Sequence, residues 1–174
     1  MSRICPLFSG STGNSTYIGT KNGGILVDAG ASFKGICNAL ERSGGSYDEI
    51  GAVVVTHEHT DHVRGLRVFA SKHKLSVYAT QCTVDALISS GVANGSFEII
   101  PVYSEGMEVN GQFIVPFRTS HDSAQSCGFV ISTTDDRKIA VATDTGYVTE
   151  ETKAAVKGCD LILAESNHDI GMVR

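Results

Sequence analysis

The sequence predicts a layered α+β fold with helices packed outside sheet, and two observations predict it. In the first half, short apolar runs rich in β-branched residues alternate with helical stretches, the rhythm of βα units. In the second half such runs follow one another with only turns between them, the rhythm of hairpins. The chain has 174 residues, 41% hydrophobic and 19% charged, ordinary values for a folded domain with a sizeable core. No repeat, low-complexity tract or charge block divides it, so residues 1–174 read as one continuous domain.

Taken in order, residues 2–8 suit an edge strand, because Pro6 cannot donate to a ladder. The loop from Ser9 to Ser15 leads into Thr16-Tyr17-Ile18, and the apolar run Ile25-Leu26-Val27 closes on Asp28-Ala29-Gly30. Ser32 is placed to cap a helix reaching Ser43, with Phe33, Ile36, Cys37 and Leu40 on one face and Gly44-Gly45 ending it. Ala52–Val55 is a buried strand that runs directly into Thr56-His57-Glu58-His59-Thr60-Asp61-His62. The pattern turns helical from Val63, extended at Ser76–Ala79, and helical again over Thr83–Ser90. Five strands are expected at 97–102, 107–109, 112–117, 128–132 and 138–142, then a helix capped by Thr149 and a last strand at 160–164.

No apolar run approaches the ~20 residues that span a bilayer. The start, Met1-Ser2-Arg3-Ile4-Cys5-Pro6, has no secretory h-region, so the expectation is a cytoplasmic protein without a membrane partner. The five cysteines are scattered without a CxxC spacing, which favours free thiols over a thiolate metal site. A net charge of −5 argues against a broad basic surface for polyanions. It leaves room for an anionic substrate at a site where bound metal supplies the positive charge.

The segment that carries chemistry is His57-x-His59-x-Asp61-His62. Four nitrogen and oxygen ligands within six residues, at the end of a buried strand, match what zinc, iron or manganese accepts. A turn there can aim His57 and His59 at one ion and Asp61 and His62 at a second. Three further candidates, His121, Asp144 and His168, follow apolar runs farther along. Singly, a histidine is more often structural, and Asp144-Thr145-Gly146 more often a turn. Together they can converge at one sheet edge, where sites form.

In this order the motifs resemble those of the metallo-β-lactamase superfamily, and the resemblance covers nearly the whole chain, including Asp28-Ala29-Gly30. It implies an αββα sandwich with two divalent ions in a cleft between its sheets. His57, His59 and His121 would hold the first ion, Asp61 and His62 the second, with Asp144 bridging and Asp28 orienting a ligand histidine. The family pattern continues past Arg174 with a further histidine and a C-terminal helix. The second αβ half is therefore expected to be incomplete here, and the second ion to be less secure than the first.

Two other segments narrow the resemblance. Phe8-Ser9-Gly10-Ser11-Thr12-Gly13-Asn14-Ser15-Thr16-Tyr17-Ile18 and Glu165-Ser166-Asn167-His168-Asp169 are similar to segments of the YycJ/WalJ branch, bacterial proteins implicated as DNA exonucleases. That implies a phosphodiesterase acting on DNA through a metal-bound hydroxide, with Asp61 or Asp144 orienting the nucleophile and His168 assisting the leaving oxygen. Glu165 is expected to hydrogen-bond a histidine. Ser11, Thr12, Gly13 and Asn14 offer hydroxyls and N–H groups to a substrate phosphate, or form a plain turn. The rival readings are an ester, lactone or thioester hydrolase using the same metals, and a non-catalytic metal-binding or regulatory protein.

Overall fold

The computed structural model of the chain describes residues 2–165. Two sheets stack face to face. In the first, β1 (Arg3–Phe8), β2 (Ser15–Thr20), β3 (Gly23–Val27), β4 (Ile50–Val54), β5 (Ser76–Ala79) and β6 (Ile99–Pro101) lie side by side in chain order. The pairings β1–β2 and β2–β3 are antiparallel hairpins, and β3 through β6 run parallel. Parallel neighbours need crossovers, which α1 (Phe33–Arg42), α2 (Thr60–Val63), α3 (Leu66–His73) and α4 (Gln81–Ser89) provide. Pro6 lies on the edge strand, as its missing N–H requires.

The second sheet is built from β7 (Met107–Val109), β8 (Gln112–Arg118), β9 (Cys127–Ser132) and β10 (Lys138–Ala142), all antiparallel, with β11 (Leu161–Ala164) added parallel to β10. Helix α5 (Glu150–Val156) precedes β11.

Alternation along the strands divides the core in two. Leu26, Val53 and Val77 face the helices and pack with Ile36, Leu40, Leu66, Phe69 and Leu87. Their neighbours Ile25, Val27, Ala52 and Val54 face the other sheet and pack with Ile114, Phe129, Ile131 and Val141. Central strands buried on both faces are the reason these segments read as unbroken apolar runs. The outer face of the second sheet is more open, with Phe113 and Ile162 exposed.

Helix α1 starts where Ser32 caps it, its side chain accepting from the Gly35 N–H at 3.2 Å. The metal motif departs from the expected tight turn. Thr60 to Val63 form one helical turn, and Gly65 separates it from α3, so Asp61 and His62 leave a helix rather than a loop. Gly65 is required there because a Cβ would collide with the Ala31 carbonyl oxygen. Strand β6 is shorter than expected, Ile99–Pro101, while α4 begins two residues early at Gln81.

Candidate metal centre

The candidate ligands come from both sheets. Val55 and Thr56 follow β4 and deliver His57, then His59 and the helix bearing Asp61 and His62. From the second sheet, the 119–126 loop between β8 and β9 delivers His121, and Asp144 lies just past β10. Two groups result, each with its ligand atoms within 4.8 Å of one another: His57, His59 and His121, and His57, His62 and Asp144. Asp61 stands beside the second group, with Oδ2 3.6 Å from His62 Nε2. His168 lies outside the described residues.

The histidine rings are oriented from behind. Asp28, almost fully buried and held at a φ of 62°, accepts from the Thr56 N–H with Oδ1 at 2.8 Å. Its Oδ2 accepts from the Thr56 hydroxyl at 2.8 Å and lies 2.8 Å from His62 Nδ1. The hydroxyl has one hydrogen, and the carboxylate takes it. The same oxygen therefore accepts from His57 Nδ1, 3.0 Å away. Both rings then carry their Nδ1 hydrogens outward and turn Nε2 toward the site, the arrangement a metal requires. Thr56 was not a sequence candidate; a threonine ending a strand has no signature separating this role from ordinary strand usage.

Asn14 supports the site from the Gly/Ser loop. Its Oδ1 accepts from the Gly10 N–H at 3.0 Å, which fixes the amide so that Nδ2 points inward. Nδ2 donates to Asp61 Oδ2 at 3.1 Å and lies 2.9 Å from His62 Nε2. The expected phosphate cradle is changed by this. The Gly13 N–H already serves Gly10 O, and the Asn14 N–H serves Asp61 O at 2.7 Å. Ser11 and Thr12 remain exposed at the loop tip.

Asp28-Ala29-Gly30 completes the frame. The Ala29 N–H donates to His62 O, and the Gly30 N–H donates to Asn14 O. A Cβ on Gly30 would overlap the Asp61 carbonyl, so only glycine lets loop, strand end and ligand helix meet. On the far side, Glu165 grips Asp144, whose N–H donates to Glu165 Oε2 at 2.8 Å.

Electrostatics separate the two inner histidines. Burial, and then the neighbouring His62, lower the His57 pKa to about 4, so its ring is neutral at pH 7. Burial also works against a charged His62, but Asp28 and Asp144 outweigh it and raise its pKa to about 10. The hydrogen bond from His62, 2.5 Å from Asp144 Oδ2, holds the Asp144 carboxyl below the usual range.

The donor set fits a divalent cation on two observations. His57 Nε2 is buried without a hydrogen-bond partner, 3.3 Å from Asp144 Oδ2. His59 Nδ1 and His121 Nε2 face each other at 3.0 Å. Converging ring nitrogens gain most from a positive ion between them.

Two stacked mixed sheets, helices over the first and a histidine and aspartate cluster at their shared edge define a metallo-β-lactamase fold. The chain belongs to that family: residues 24–171 match the beta-lactamase superfamily domain. It is 39% identical to the exodeoxyribonuclease YycJ of Bacillus anthracis over 173 residues, 97% of this chain and 64% of that protein. It is 35% identical to the exodeoxyribonuclease WalJ of Streptococcus pneumoniae serotype 2 (strain D39), covering 97% of this chain and 63% of that protein. The chain thus spans somewhat less than two thirds of these relatives. Among solved structures, the fold superposes on the metallo-β-lactamase fold protein YhfI of Bacillus subtilis with a TM-score of 0.75, at 15% identity, covering 95% of this chain and 70% of that one. Zn(2+)-bound PqqB of Methylobacterium extorquens gives 0.71 at 20% identity, covering 88% and 60%.

Proposed function

We propose that this chain carries the catalytic centre of a metal-dependent phosphodiesterase, an exonuclease acting on DNA. The observation that carries the reading is His57, shared by the two candidate ligand groups, with Asp144 Oδ2 3.3 Å from its Nε2 and 2.5 Å from His62 Nε2. The similarity to proteins named exodeoxyribonucleases supports the substrate class.

In this reading His57, His59 and His121 would hold one divalent ion, and His62 and Asp61 a second, with Asp144 close enough to serve either. The nitrogen and oxygen donors suit zinc, manganese or iron. When bound, such a pair supplies a water acidified toward a pKa of about 7 and positive charge for the phosphoryl oxygens.

The protein's own groups do the remaining work. Thr56 keeps the His57 Nδ1 hydrogen in place, so that Nε2 stays available. Asp28 does the same for His62. Asp144 and Asp61 are carboxylates that can orient an attacking water by accepting its hydrogen bond. Protonation of the leaving oxygen is assigned to His168, on sequence grounds.

The test uses end-labelled duplex DNA with manganese or zinc, comparing the chain with its Asp61→Ala variant on a denaturing gel. Progressive shortening that needs metal and falls at least a hundred-fold (~2.7 kcal/mol) in the variant is expected. Intact DNA alongside turnover of an activated ester or lactone would move the assignment to ester hydrolysis. Bound metal with neither activity would make the centre non-catalytic.

A further inference from the structure

Beside the metal centre lies a cleft of about 320 Å³, large enough for one nucleotide unit. Two of its walls connect to segments that carry candidate ligands. Cys127, which lines it, donates its N–H to Thr56 O at 3.2 Å, and Thr56 precedes His57. Arg118 and Gln125, also lining it, flank the base of the loop that carries His121. That base is closed by the Thr119 N–H to Ser126 O and by the Thr119–Ser126 hydroxyl contact at 2.7 Å.

The rim presents an aromatic ring. Tyr103 is 59% exposed, so its face is open to a stacking partner. Its backbone opens a turn closed by the Gly106 N–H to Tyr103 O at 2.9 Å, with Gly106 at a φ of 72°. Its hydroxyl donates to Gln81 Oε1 at 3.5 Å, and the Gln81 amide is held by Asp85 at 2.8 Å. The turn fixes where the ring stands on the rim.

Arg118 supplies the charge. Its backbone is fixed on both sides, the N–H donating to Glu151 Oε1 at 3.0 Å and the carbonyl accepting from the Thr152 hydroxyl at 3.3 Å. The guanidinium is exposed and has no hydrogen bond or ion pair among the described residues. Glu151 also lines the cleft, so a phosphate is confined to the arginine side.

We propose that this cleft is a nucleotide subsite, in which Tyr103 stacks on the base next to the scissile phosphodiester and Arg118 holds the flanking phosphate. The proposal rests on the phosphodiesterase reading for its placement beside the reaction, and on the rim geometry for its ligand. An aromatic platform with one cation accepts any base, as a nuclease that shortens arbitrary sequence needs.

The test measures binding of two labelled single-stranded oligomers of eight units: oligothymidylate, and the same backbone without bases. The chain and its Tyr103→Ala, Tyr103→Phe and Arg118→Gln variants are compared by fluorescence anisotropy. Hydrolysis of bis(p-nitrophenyl) phosphate, which is too small to need the subsite, is measured in parallel. The chain is expected to favour the base-bearing oligomer by about ten-fold. Tyr103→Ala should lose that preference and Tyr103→Phe keep it, while Arg118→Gln weakens both oligomers alike. The small diester should turn over unchanged in all four proteins.

Equal preference in the chain and in Tyr103→Ala overturns the subsite, and DNA shortening by the same protein would leave the nuclease reading standing. Diester hydrolysis with no oligomer binding also overturns the subsite while keeping a metal hydrolase. A tyrosine-dependent preference without DNA shortening supports the subsite and overturns the nuclease.

Discussion

At the scale of residues, Asn14 shows how the centre is held in shape. Its amide is locked by the Gly10 N–H and directed at Asp61 and His62, so truncation frees the side of the site that the second ion would occupy. On the two-ion reading proposed above, Asn14→Ala is expected to lower affinity for the weaker-bound equivalent by about ten- to a hundred-fold, leaving the tighter equivalent little changed. Titration against a chromophoric chelator would show it, and equal loss at both equivalents would contradict the role. The candidate ligands stood out in the sequence because coordination admits few residue types, and six positions hold four of them. Asn14 and Thr56 did not, because each acts through contacts made only after folding. An asparagine among glycines and serines suits a turn equally well, and only the fold brings it to Asp61.

At the scale of elements, the decisive junction is where the end of β3, the Gly/Ser loop and α2 meet. Their backbones exchange hydrogen bonds directly, Asn14 with Asp61, Ala29 with His62, and Gly30 with Asn14. Gly30→Ala is therefore expected to cost about 1–3 kcal/mol, because the added methyl has backbone rather than a flexible side chain to displace. Thermal unfolding of the metal-free variant would fall by several degrees, and an unchanged midpoint would show that α2 can shift freely. The strand and helix sequence was largely readable, since burial on both faces gives β3 and β4 continuous apolar runs. The break between α2 and α3 was not. Val63, Leu66, Phe69 and Ala70 keep helical spacing across it, and the reason for Gly65 is a carbonyl from the 28–31 segment.

At the scale of the whole molecule, the candidate ligands are divided between the sheets: His57, His59 and His62 follow β4, while His121 and Asp144 belong to the second sheet. An ion that binds the assembled site and not the unfolded chain stabilises the fold by mass action, about 2.7 kcal/mol at a hundred times its dissociation constant. Saturating zinc or manganese is expected to raise the melting temperature by several degrees and excess chelator to reverse it. No shift would mean that the metal makes no contact reserved for the folded state. The layered architecture was legible from the order of its elements, whereas the pairing of β11 alongside β10 depends on a parallel crossover that no local pattern encodes. The division of ligands has a mechanical side as well. A force that slides one sheet over the other would load the bonds between ion and protein as well as the apolar contacts between the layers. The centre then acts as a rivet through the sandwich, and the stiffness of the domain under load follows the local supply of metal.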